Sequence, residues 1–222
     1  MSRKTGKPSY VRQAAQQRGR RVSIVVAIVA AAALLVGGGG GFLAGRPDST
    51  TRAVEEIKKQ EAARDLAQIK ELTAVARASQ AVLSRVLADL DAAAAGTGPV
   101  SAEEVGGWRS AVQELVDKHA DSPSGTTATN VARGALRTAV NDFAIAIDLF
   151  AESLELPAAQ RPAFVEIVKR ARKTATVGWS VAAAQLDQLN IDAGLGHQHV
   201  YLRTEQGSGA FTPDGAPEGV TN

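Results

Sequence analysis

Between Val22 and Ala44 the chain runs for 23 residues without a charged side chain, directly behind Arg20 and Arg21. As a helix at 1.5 Å per residue this run is ~34 Å long, enough to cross the hydrocarbon core of a bilayer. Ahead of it stand Arg3, Lys4, Lys7, Arg12, Arg18, Arg20 and Arg21, with no Asp or Glu among them. That asymmetry predicts a basic cytoplasmic tail over residues 1–21, a transmembrane signal anchor over 22–44, and everything beyond Gly45 on the far side of the membrane. Arg18, Arg20 and Arg21 lie nearest the bilayer, where they fix topology and meet anionic lipid headgroups.

The formal charge of +2 conceals this division. Seven of the 25 Lys+Arg fall in the first 21 residues, leaving 18 against all 23 Asp+Glu, a net of −5 for the remainder. The basic balance is local, so no nucleic-acid partner is implied. There is no cysteine. An exported domain of this kind is therefore held by packing alone, and neither a thiol nucleophile nor a thiolate metal site is available. Arg outnumbers Lys 17 to 8 and Ala is abundant, a usage that suggests a GC-rich bacterial genome.

A removable signal peptide is the alternative to an anchor. Its apolar core would be Val22 to Val36, with cleavage near Ala44, but Phe42 occupies a position where a small residue is needed. No Cys follows Leu43-Ala44-Gly45, which excludes lipoprotein processing. Arg20-Arg21 ahead of a mildly apolar, glycine-rich stretch also resembles a twin-arginine export signal, though the following residues fit loosely. The balance favours an uncleaved anchor; with cleavage, the product is a secreted helical protein. Within the anchor, helical spacing places Ala33, Gly37, Gly41 and Gly45 on one face, a small-xxx-small pattern that lets two membrane helices approach closely and form a homodimer. A glycine tract of no packing significance is the other reading of the same residues.

Residues 45–50 form a polar linker in which Pro47 stops the first helix and Asp48, Ser49 or Thr50 caps the next. From Thr51 to Ala95 there is no Gly or Pro. Leu66, Ile69, Leu72, Val75, Val82, Val86 and Leu90 recur at helical spacing there, with Leu83 and Leu87 widening the stripe. Val54 to Glu61 reads as a polar stalk. Ser101-Ala102-Glu103-Glu104 is a capping box opening a second helix to about Ala120, with Val105, Trp108, Val112 and Leu115 inward. Leu136, Val140, Phe143, Ile147, Phe150 and Leu154 keep a strict heptad through a third helix, a coiled-coil stripe available for a partner helix or for self-association. A fourth helix runs from about Pro162 to Asp192, its inward face holding Phe164, Ile167, Ala171, Val177, Val181, Leu186 and Leu189. None of these stripes is buried alone. The expected fold is all-α: a transmembrane helix, then an antiparallel four-helix bundle over 51–192 with a long first helix, and a flexible tail over 193–222.

No signature of chemistry accompanies this architecture. P-loop, HExxH, GxSxG and dinucleotide motifs are absent, and no catalytic or cofactor-binding residue is predicted. His119 continues the second helix's stripe at the edge of the core. His197 and His199 point to the same side of an extended backbone. They suit weak binding of zinc or copper, but the sequence shows no further ligands beside them, so no metal site is assigned. Of the two tryptophans, Trp108 fits a core stripe, while Trp179, between Gly178 and Ser180, is the better candidate for contact with a partner. The layout resembles extracytoplasmic four-helix sensor domains of bacterial receptors in architecture only. The expectation is a non-enzymatic single-pass membrane protein whose bundle scaffolds or binds another cell-envelope component. A small-ligand sensor acting through a partner protein is the second reading.

Overall fold

The computed structural model describes residues 49–204 and 207–220. The chain divides between Lys59 and Gln60 into two units, and the bundle belongs to the second, Gln60–Asn222. Among the described residues there are four helices: α1 (Ser49–Ala94), α2 (Ala102–Lys118), α3 (Thr127–Glu155) and α4 (Arg161–Asp192). Among the described residues no helix is long and apolar enough to cross a membrane. The predicted anchor, with Ala33, Gly37, Gly41 and Gly45 and the basic residues Arg18, Arg20 and Arg21, lies outside the described residues.

Local sequence accounts for where the helices begin. Ser101 accepts a hydrogen bond from the Glu104 N–H, and the Glu104 carboxylate accepts one in return from the Ser101 N–H at 2.8 Å. Together they satisfy two donors that a helix start leaves free. These backbone and side-chain bonds from Ser101 hold the Glu104 carboxyl below the usual carboxylate range. Thr126 caps α3 in the same manner through the Thr129 N–H. Asp65 of α1 accepts from the Thr126 and Thr129 hydroxyls, tying the start of α3 to the first helix. Before α4 no side chain caps, and Pro162 supplies the preset backbone angle in its first turn.

Cross-helix bonds establish the direction of packing. Thr73 meets Asn190 and Asp91 meets Arg172, so a step of 18 residues up α1 is a step of 18 down α4. Arg109 pairs with Asp148 between α2 and α3. Trp108 lies on Phe150, ring centroids 5.9 Å apart, between the same two helices. By the first two of these contacts, α1 and α4 run antiparallel. The interior is closed by Leu83, Leu90, Val112, Leu115, Leu136, Phe143, Ile147 and Leu186, all essentially without solvent contact.

Three expectations need correction. The heptad stripe of α3 is present from Leu136 to Phe150, but it is buried inside this bundle and offers no surface to a partner helix. On α4, Ile167 and Val181 face outward at 39% and 46% exposure, and the inward positions are Val168, Ala175, Trp179, Ala182, Ala183, Leu186 and Leu189. Finally, the segment after Ala193 is not loose along its length: it has no helix or strand, yet Val200 and Leu202 are part of the core. The last two errors share one cause. Because the C-terminal segment lies against α4, that helix buries a broader and differently centred arc than a four-helix count predicts.

Candidate metal centre

The C-terminal segment is positioned by its backbone. The Trp179 indole N–H donates to the Val200 carbonyl at 2.6 Å, and the Gln80 amide donates to the Tyr201 carbonyl at 2.6 Å. Two parts of the segment then meet through their backbones. The His197 N–H donates to the Val220 carbonyl, and the Gly219 N–H donates to the His197 carbonyl. Gly196 makes this approach possible: its φ is +72°, and a Cβ there would collide with the Gly219 backbone. Arg77 of α1 reaches across both stretches, donating to Gln198 Oε1 and to the Glu218 carboxylate. Burial pushes the Glu218 carboxyl up, but the Arg77 bond, the His199 N–H and the neighbouring positive charge outweigh it and leave it below its ordinary value.

Four titratable side chains converge where this segment crosses α4. Asp187, on the last turns of the helix, accepts the Gln198 N–H on Oδ1 and turns Oδ2 toward both imidazoles. His197 Nδ1 is 3.1 Å from Asp187 Oδ2, and His199 Nε2 is 3.8 Å from it. Asp214, from the later part of the segment, lies 3.7 Å from His199 Nε2 and 4.0 Å from His197 Nδ1. Asp187, His197 and His199 each offer a ligand atom within 4.8 Å of the others. The Nε2 atoms of both histidines are buried without a hydrogen-bond partner. Tyr201 borders the cluster, its ring centroid 6.1 Å from that of His199. Burial, followed by the negative charges of Asp187 and Asp214, raises its phenol above the usual value. Two imidazoles and a carboxylate, with the Asp214 carboxylate beside them, are donor types that a transition-metal ion accepts.

The other predicted residues fall elsewhere. Trp179 is fully buried and its N–H is occupied by Val200, so it is a packing residue and not a contact for a partner. Its neighbour Gly178 faces α3, where a Cβ would make ordinary van der Waals contact with the Ala139 side chain at 3.8 Å. His119 ends α2 at 2% exposure. Ser79 Oγ already donates to the Val75 carbonyl, so its 3.0 Å contact with His119 Nε2 assigns the imidazole proton to that nitrogen. Burial lowers the His119 pKa to about 4. Beside it, Gln68, Glu71, Lys118, Asp121 and Arg133 edge a groove of about 590 Å3. Sequence reasoning found His197 and His199 but missed Asp187 and Asp214, which approach only through the fold. No family model, curated protein or solved structure matches this chain.

Proposed function

We propose that this chain is a single-pass envelope protein, anchored through Val22–Ala44, whose helical bundle is a non-enzymatic binding module for another envelope component. The apolar run behind Arg20 and Arg21 carries the reading: its length suits insertion, and the basic residues ahead of it favour a cytoplasmic N-terminus. Two further features support it. The bundle interior is occupied by side chains, which suits a rigid scaffold. On the outer faces of α3 and α4, Val131 and Ile145, then Ile167 and Val181, are exposed pairs two heptads apart. Each pair therefore lies on one side of its helix, a surface of the kind a partner helix engages. The face of Ala33, Gly37, Gly41 and Gly45 adds a homodimer through the membrane helix. Gly41→Leu abolishes that dimer in a membrane two-hybrid assay, and an unchanged signal removes it.

The groove beside His119 and Arg133 favours a second reading, a small-ligand sensor acting through a partner protein. Topology tests the reading that leads. The chain is tagged at both ends and expressed in a bacterium, and protease access in intact and lysed cells is compared with product mass. A full-length product with a protected N-terminus and an accessible C-terminus is expected. A shorter product released from the membrane overturns the anchor and leaves a secreted bundle.

A further inference from the structure

We propose that Asp187, His197, His199 and Asp214 bind one divalent transition-metal ion, with Zn2+ as the matching probe, and that the ion fastens the C-terminal segment to α4. Coordination geometry is the first argument. A tetrahedral Zn2+ with bonds of 2.0–2.2 Å holds its ligand atoms about 3.3–3.6 Å apart. The four nitrogen–oxygen separations in the cluster are 3.1, 3.7, 3.8 and 4.0 Å, close to those edges on either side. Three of them are too long for hydrogen bonds. Only His197 Nδ1 and Asp187 Oδ2 are within hydrogen-bond reach; the other groups are gathered without bonding one another, the arrangement expected of ligands around a shared centre.

Unsatisfied polarity is the second argument. The His199 Nε2 atom, which faces both carboxylates, is buried without a hydrogen-bond partner. A buried imidazole nitrogen left without a bond costs free energy that an ordinary surface His–Asp pair does not incur. The His199 Nε2 points between the Asp187 and Asp214 carboxylates at nearly equal distances, where a cation satisfies all three. Donor type then selects the ion. Two imidazoles exclude the all-oxygen shells of Ca2+ and Mg2+ and suit zinc or its first-row neighbours.

The surroundings supply the positioning a metal ligand needs. Asp187 is fixed by α4 and by the Gln198 N–H on its second oxygen. The His197–His199 stretch is pinned by Trp179, Glu218 and the Gly219 backbone. Asp214 is different: its side chain is 59% exposed, so it is the ligand that closes over the ion from the solvent side. One ligand on α4, two on the His197–His199 stretch and a fourth beyond it make the ion a clasp between helix and segment. This inference is independent of the anchor, since the cluster lies wholly within residues 187–214.

Full-length protein in detergent micelles, stripped with chelator, tests it by calorimetric titration with ZnCl2 and with CaCl2. The expected result is one Zn2+ per chain, no Ca2+ uptake, and a thermal-unfolding midpoint that rises with Zn2+. His199→Ala is expected to weaken Zn2+ binding by at least the roughly 10–100-fold that loss of an outer-shell partner costs. It should also remove the thermal shift while circular dichroism retains the helical signal. Should His199→Ala fail to fold, Asp214→Ala, altered at an exposed side chain, carries the same comparison. A native chain that takes up no Zn2+, or a folded variant that binds it as tightly as the native chain, overturns the proposal.

Discussion

In α3, Leu136, Val140, Phe143, Ile147 and Phe150 reach the core because helical spacing puts them on one side, whatever the rest of the chain does. Val200 and Leu202 reach the same core from a segment with no regular structure, held by the Trp179 indole, the Gln80 amide and the Gly219 backbone. The helix carries its instruction locally, in a period. The segment carries it only in relation to residues about 20 to 120 positions away. Both are buried, but only the first is recognisable before folding.

The comparison is sharpest in the energetics of single side chains. Phe143→Ala empties a site with no solvent contact at the centre of the regular region, and the expected loss is about 3–5 kcal/mol of unfolding free energy by denaturant titration. A loss below about 1 kcal/mol means the heptad register is wrong. Leu202→Ala asks the same of the irregular segment. With Leu202 at 5% exposure, the expected loss is about 2–3 kcal/mol, at the low end for a buried leucine because a segment has more freedom to collapse than a helix. A cost of a few tenths would make the segment a loose tail after all and would separate the two regions completely.

A third test concerns polarity inside the regular part. His119 is buried neutral with a pKa of about 4, against about 6.5 in an unfolded chain. The unfolded state therefore binds its proton first as pH falls. The stability contribution is complete above about pH 6.5, declines between there and about 4, and is absent below. The expected loss across that window is about 1–3 kcal/mol, discounted for partial solvation. Comparing denaturation of the native chain with His119→Gln, both in chelator, isolates it: the variant should lose less stability on acidification by that amount. Equal slopes would mean that the imidazole is solvated and that Ser79 holds nothing buried.

How far the fold was legible follows from the same contrast. The limits of all four helices were readable because Gly, Pro and capping residues punctuate them, and Ser101 and Glu104 announce α2 outright. The outward faces of Ile167 and Val181 were not, since the arc that α4 buries depends on a segment without periodicity. Trp179 misled for a related reason. Gly178 and Ser180 beside it look like a polar surface, whereas Gly178 faces Ala139 of α3 and Ser180 Oγ accepts the Phe211 N–H. Half of the metal cluster was visible as His197 and His199 at a spacing of two. Asp187 was hidden because a carboxylate next to the core residue Leu186 reads as an ordinary helix-surface group, and Asp214 because it sits in a Gly- and Pro-rich run.

The smallest effect expected is at the most local interaction. Ser101→Ala removes a cap whose partner is three residues away, leaving a donor at the start of α2 unsatisfied by the protein but open to water. The expected cost is about 1 kcal/mol, read as a shift in denaturation midpoint at unchanged slope. Such an interaction is the easiest to read from sequence and among the weakest in the fold. Leu202 is the converse: nothing in its neighbourhood along the chain identifies it as core, yet its loss should cost more. Should Ser101→Ala prove the more damaging of the two, the start of α2 would be organising distant contacts, and the division between local and long-range instruction would have to be redrawn there.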